Sequence, residues 1–422
     1  DRIGFCVYLR IAIEWIENRG TDTMNNYEFY APTRVIFGKG TENDTGKQIV
    51  AYGGHHVLIV YGGGHAVRSG LLERVEASLK EAGLTFDTLG GVVPNPHLSK
   101  VYEGIELGKK TGVDFLLGVG GGSVIDTAKA IAYGLAEPEY DVWDLYDRKR
   151  KAKACLPVGC VLTIAAAGSE MSDSSVITNE KTGEKRGTNS DLCRCRFAIE
   201  NPELTMTLPD YQTMAGCADM QMHTMERYFT GKGNMEITDS IAEALMRTVK
   251  SKTLILHKDP QNYEARAEVM WAGSLAHNNI TGCGNGGFDF ASHRLEHELS
   301  GMFDVTHGAG LCAIWGSWAR YVYKNCLHRF VKFAETVHGI APQATEEDTA
   351  LLGIEAQEDF YRAIGMPTSL DELGVHPTDA QMKEMARRCA IAVGGQIGSA
   401  MVLHEPDMYR IYCMAAGKQP QD

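Results

Sequence analysis

The chain has 422 residues, 44% of them hydrophobic and 23% charged, with a net charge of −13. That length calls for two or three domains, and the acidic balance, with no basic face, excludes a protein built on phosphate-backbone contacts. No apolar run reaches membrane-span length, and the odd set of eleven cysteines, without a Cys-x-x-Cys pair, fits reduced thiols in a cytoplasmic protein. Neither a nucleic acid nor a membrane is therefore expected as a partner.

Residues 1–23 contain apolar pieces broken by Arg10, Glu14 and Glu17. They read as a leader or an expression-derived segment, with Met24 opening a more natural start. From 24 to 203 the pattern alternates. Residues 57–61 (VLIVY) form a short buried strand running into Gly62, Gly63 and Gly64, and Leu71, Leu72, Val75 and Leu79 follow at helical spacing. Residues 92–97 (VVPNPH) read as a loop. Residues 115–119 (FLLGV) are a second buried strand, which meets Gly120, Gly121, Gly122 and Ser123 before another helix. Strand, glycine turn and helix, repeated, predict an α/β domain with a parallel sheet. Residues 204–422 carry long helical patterns and predict an all-α domain.

Both glycine turns end a strand and open a helix, where free backbone N–H groups suit an anion. Neither has the full G-x-G-x-x-G fingerprint, yet two of them on successive parallel strands point to a nucleotide phosphate site. Asp87, in LTFDTL, is either the ribose-binding acid of a dinucleotide site or an exposed carboxylate at a strand end.

In residues 219–229 (DMQMHTMERYF), Asp219 and His223 stand four apart and share one helix face. Such a pair either grips a divalent cation or is a hydrogen-bonded couple without one. Residues 292–299 (SHRLEHEL) place His293 and His297 on another helix face, and His307 follows a turn. Asp219, His223, His293 and His307 would make a three-nitrogen, one-oxygen set that suits Fe²⁺ or Zn²⁺ and does not separate them. A rival lies in the same stretch: HRLEH is also the inverted zinc-peptidase motif, with His293 and His297 as ligands and Glu296 as general base. That reading leaves the glycine turns and the Asp219–His223 pair without a role.

From about Tyr27 onward the ordered set FGKG (37–40), YGGG (61–64), PNP (94–96), GGGSVIDTAK (120–129), GSE (168–170), Asp219-x-x-x-His223 and His293-x-x-x-His297 with His307 resembles the iron-containing alcohol dehydrogenase family, in its butanol dehydrogenase and NADPH-dependent aldehyde reductase branch. The resemblance implies a dinucleotide-binding α/β domain, a helical domain, and a metal in the cleft between them. It implies metal ligands at Asp219, His223, His293 and His307, and for His297, near the metal but not a ligand, a role in proton transfer or cofactor contact. It places the cofactor on Gly62, Gly63, Gly64 and His65, on Gly121, Gly122, Ser123 and Asp126, and on Thr163, Ser169 and Lys185.

The implied enzyme moves hydride between a nicotinamide and a primary alcohol or aldehyde, as a homodimer. A non-catalytic oligomeric relative is the further alternative. Family members that disfavour the 2′-phosphate carry an Asp just after the first strand. Here that place reads Gly62, Gly63, Gly64, His65, so NADPH is expected, with NADH possible. Ala167 stands where the family often has a threonine and supplies no hydroxyl. Phe288, Phe290 and Met302 either line an apolar pocket or pack the helical core.

Overall fold

The computed structural model describes residues 24–421 apart from 232 and 234. The expected leader, residues 1–23, lies outside the described residues. Six strands form one parallel sheet: β1 (Arg34–Phe37), β2 (His56–Tyr61), β3 (Thr85–Leu89), β4 (Phe115–Gly120), β5 (Val158–Leu162) and β8 (Phe197–Glu200), in the order β1-β8-β5-β4-β2-β3. Three long helices cover it: α1 (Leu71–Glu81), α2 (Leu98–Thr111) and α3 (Gly122–Ala136). Strand side chains alternate between two cores. Val57, Ile59, Phe115 and Leu117 pack with Leu71, Val75 and Leu79 of α1 on one face. Leu58, Val60 and Leu116 pack with residues of α2 and α3 on the other. Because both faces are covered, the central strands are almost wholly apolar.

The connection from β2 runs outward to β3, and the chain then returns to β4 on the other side of β2. Connections therefore diverge between β2 and β4, and ligands bind at the carboxyl ends of strands at such a switch point. Both glycine turns sit there. The helix expected after Gly64 is interrupted: a helical turn, His65–Arg68, precedes α1, and Gly70 between them has φ 69°. A two-stranded antiparallel hairpin, β6 (Ser174–Asn179) with β7 (Glu184–Asn189), lies apart from the sheet. Its polar sequence gave no strand signal.

After Glu200 the long elements are helical: α4 (Asp210–Tyr228), α5 (Glu236–Lys258), α6 (Tyr263–His277), α7 (Ala291–Phe303), α8 (His307–Val322), α9 (Leu327–His338), α10 (Glu346–Ala363), α11 (Asp379–Val393) and α12 (Glu405–Ala415). From Thr213 to Tyr228, α4 is buried on every side. That is the condition of a helix at the centre of a bundle, and here it carries a carboxylate and an imidazole into the interior. Among the described residues no helix is long and apolar enough to cross a membrane.

Candidate active site in the cleft between sheet and helices

A cavity of about 620 Å³ lies at the switch point, within the size range of small-molecule sites. Gly62, Gly63, His65, Gly121, Gly122, Ser123, Thr163 and Lys185 line it, and so do Asp219, His297 and His307. Gly122 and Ser123 are the first residues of α3, so their N–H groups have no helical acceptor. A Cβ on Gly121 would stand 2.9 Å from the Ile164 side chain, and one on Gly122 would stand 3.2 Å from Ala167 Cβ. The turn is thus closed against the strand-end loop, and Ala167 itself lines the cavity.

Three expected cofactor residues lie behind this lining. Gly64 packs under the Arg68 side chain, whose Nη1 would be 2.4 Å from a Cβ there. Asp126 accepts from the Ser169 hydroxyl and from the Val176 N–H at 2.9 Å, which ties α3 to β6. Lys129, fully buried, donates to the carbonyls of Ser169, Ser172 and Ser174 at 2.7, 3.0 and 2.8 Å. Asp126 and Lys129 of GGGSVIDTAK therefore hold the wall of the cavity rather than facing into it. Asp87 is away from the cavity: it sits within β3 and pairs with His56 Nε2 at 2.8 Å, so the ribose-acid reading fails.

At the other end of the cavity three imidazoles gather around one oxygen. Asp219 Oδ1 is 3.1 Å from His223 Nδ1, 3.5 Å from His293 Nε2 and 3.8 Å from His307 Nε2. Helix α4 supplies the first two residues, α7 the third and the start of α8 the fourth. Gly308 makes the last placement possible: a Cβ there would lie 2.0 Å from the Ala215 carbonyl oxygen. Only a glycine next to His307 lets α8 begin against α4, one turn from Asp219.

Burial would raise the Asp219 carboxyl, but the neighbouring imidazoles of His223 and His307 hold it well below the usual range. Burial pushes His223 and His293 down to about 4 each, so both are neutral at pH 7. Asp219 Oδ1 and His293 Nε2 are buried without a hydrogen-bond partner. An unsatisfied buried polar atom costs about 1–3 kcal/mol. A carboxylate oxygen and a bare imidazole nitrogen, both orphaned and converging, are the donor chemistry of a divalent-cation site, and the four residues fit Fe²⁺ or Zn²⁺.

The ligand candidates are themselves held. Glu226 Oε1 accepts from the His293 backbone N–H at 3.0 Å and faces its Nδ1 at 3.0 Å. Glu296 Oε2 pairs with His307 Nδ1. Lys185, on β7, donates to Asn95 Oδ1 at 3.0 Å, and Asn95 Nδ2 donates to Asp304 Oδ1 at 2.8 Å, which pins the PNP loop to the turn before α8. His277, at the end of α6, donates from Nδ1 to the Ala167 carbonyl at 2.6 Å and packs its ring 4.0 Å from that of His223. His277 and Glu226 were not picked out from the sequence. Glu226 was within reach, since it follows Asp219 by seven residues on the same helix face.

His297 also lines the cavity, with Nδ1 buried and unpartnered. Phe290 packs its ring 5.4 Å from that of His293, Phe288 meets Phe290 edge-on at 6.1 Å, and Met302 leans on the helical core. None of the three lines the cavity.

Residues 32–202 match the profile of iron-containing alcohol dehydrogenases, and residues 213–412 match that of the Fe-containing alcohol dehydrogenase family, C-terminal. The chain belongs to the iron-containing alcohol dehydrogenase family. It is 38% identical over 390 residues to the NADH-dependent butanol dehydrogenase A of Clostridium acetobutylicum, covering 92% of this chain and 99% of that protein. It is 35% identical over 354 residues to the NADPH-dependent aldehyde reductase YqhD of Escherichia coli, covering 83% and 90%. The crystal structure of NADH-dependent butanol dehydrogenase A from Thermotoga maritima superposes with a TM-score of 0.90 at 38% identity, covering 94% and 100%. The family membership and the geometry leave the peptidase reading without support. Glu296, the general base it requires, is fully buried and engaged by His307 and Ser300.

Proposed function

We propose that this iron-containing alcohol dehydrogenase transfers hydride between NAD(P)H and a primary alcohol or aldehyde, with Asp219, His223, His293 and His307 holding one Fe²⁺ or Zn²⁺. The observation that carries this is the convergence of a carboxylate and three imidazoles at one end of a cleft whose other end is a helix-opening glycine turn. When bound, the cation supplies Lewis-acid polarisation of the substrate oxygen and the nicotinamide supplies the hydride.

The protein's own groups do the rest. Gly122 and Ser123 present N–H donors to the pyrophosphate. Lys185 and Thr163 line the path between that turn and the metal ligands and orient what lies there. His297 faces the cavity as a neutral imidazole, because burial holds it well below its ordinary range. It accepts the proton of an alcohol during oxidation and returns it during aldehyde reduction.

The cofactor preference is for NADPH. His65 and Arg68 line the cavity beside Gly62 and Gly63, and they offer cationic or hydrogen-bonding partners to a 2′-phosphate where no acid stands to repel it. Two further assignments complete the reading: a working division near residue 203 into cofactor and metal-binding domains, and a homodimer in the cytoplasm. The ten cysteines among the described residues are all free thiols, which supports a reducing compartment. Elemental analysis of the purified protein, with NADPH and NADH oxidation followed over a series of aldehydes, tests the proposal. A metal-free protein, or one that oxidises neither cofactor with any aldehyde, overturns it.

A further inference from the structure

His277, the last residue of α6, is not one of the four candidate ligands, yet it touches both halves of the cleft. On one side its ring lies 4.0 Å from that of His223, with 32° between the planes, and the ring of His293 also flanks His223, at 4.3 Å. On the other side its Nδ1 meets the Ala167 carbonyl at 2.6 Å. A carbonyl only accepts, so Nδ1 carries the proton.

The loop that His277 holds has little slack. Gly168 has φ 67°, a conformation that favours glycine. A Cβ there would stand 2.6 Å from the Gly273 carbonyl oxygen and 2.6 Å from His277 Cβ. A Cβ on Gly216 of α4 would stand 2.6 Å from the Ala165 carbonyl oxygen. The backbone at 165–168 is thus threaded between α4 and α6. Ala167 lines the cavity and lies against Gly122, the first residue of α3, where an added Cβ would be 3.2 Å from Ala167 Cβ. Groups packed this closely transmit a displacement rather than absorb it.

We infer that His277 is a positioning residue that couples the metal ligands to the cofactor turn, through the contacts His223–His277–Ala167–Gly122. A His223 ring fixed on a cation steadies His277 and the Ala167 carbonyl, and with them the turn that takes the pyrophosphate. By linkage, a nucleotide held on that turn tightens the cation by the same factor. This rests on the dehydrogenase reading above and adds how the two ends of the cleft communicate.

The test needs no turnover. Dissociation constants of Zn²⁺ and of 2′-phospho-ADP-ribose, which has no nicotinamide to reach the metal, are measured on the metal-stripped full chain, each with and without the other. In the unmodified protein each ligand should tighten the other by about fivefold or more, the lower end of the usual coupling between sites. His277→Phe keeps a ring beside His223 and loses the donor to Ala167. His277→Asn keeps a donor at the δ position and loses the ring. The Phe variant should bind Zn²⁺ alone as the unmodified chain does and bind the nucleotide more weakly, and the Asn variant should do the reverse. Both should bring the coupling to within about twofold of none. If one variant fails to fold, the other decides. A residue that only packs would lower both affinities alike and leave the coupling in place. Coupling that is absent from the unmodified protein, or kept by a folded variant, overturns the inference alone. A chain that binds no Zn²⁺, or no nucleotide, overturns the dehydrogenase reading and the coupling with it.

Discussion

Glu296, fully buried between the two histidines of HRLEH, hydrogen bonds Nδ1 of His307 rather than serving either histidine of its own motif. An imidazole that gives its Nδ1–H to a carboxylate turns a more basic Nε2 toward a metal. Here that Nε2 is the atom 3.8 Å from Asp219 Oδ1. Glu296→Gln should therefore weaken metal binding by roughly 10–100-fold and leave clear aldehyde reduction when metal is in excess. Chelator competition on the metal-loaded protein measures the first effect. Complete loss of turnover at saturating metal would restore a general-base role for Glu296.

His297 is predicted to move a proton and not to hold the metal. His297→Ala should keep a full equivalent of metal and lose about 10²–10⁴-fold in kcat, the usual contribution of a positioned acid–base group. Metal content and steady-state rate, measured on the same preparation, separate the two roles. A variant that comes out metal-free makes His297 a ligand.

Gly63→Asp should shift preference from NADPH toward NADH. A Cβ at Gly63 meets nothing within 4 Å, and no positive φ restrains the site, so the substitution adds charge without a clash. The carboxylate would repel a 2′-phosphate near His65 and Arg68. The ratio of kcat/KM for the two cofactors is the readout. Tighter use of NADH than NADPH by the unmodified protein would contradict the premise.

Acid stability should depend on His338, far from the cleft. Burial, and then the charge of Lys250, push its imidazole down to about 3. Lys250 Nζ donates to Nδ1 at 2.8 Å, and Nε2–H donates to Gln357 Oε1 at 3.1 Å. The chain of bonds continues from Gln357 to Gln221 at 3.0 Å and to the Met246 carbonyl at 3.1 Å. The folded-state value is depressed below the unfolded one, so the unfolded chain takes up the proton first. This contribution is fully present above about pH 6.5 and is lost as pH falls toward 3, at about 1.4 kcal/mol per pH unit. His338→Gln, which cannot charge, should flatten that part of a denaturant-midpoint profile between pH 6.5 and 4. An unchanged slope would refute the assignment.

Much of this architecture was legible in the sequence because the signals are local. The strands at 57–61 and 115–119 are continuous apolar runs ending in glycine, as a sheet covered on both faces requires. Asp219 and His223 declare a shared helix face by spacing alone. What was not legible depends on tertiary contact. His277 reaches His223 only because α6 packs against α4, and Glu296 meets His307 only because α8 starts beside α7. The hairpin that carries Lys185 has no alternation of apolar residues, so the family resemblance, not the pattern, indicated that lysine. Asp126 and Ser169 belonged to the right motif, but their side chains bond to each other behind the cavity wall. Motif membership does not say which way a side chain faces.

On the proposed function, four side chains from three helices hold one cation at the end of the cofactor cleft. His307 tests it best, because it comes from a different helix than the other three and its side chain is a quarter exposed, so its loss disturbs the core least. Elemental analysis of His307→Ala, alongside NADPH binding followed by fluorescence, is the measurement. Most of the bound metal should be lost while the α/β half still binds NADPH. A variant that retains a full equivalent of metal would contradict it.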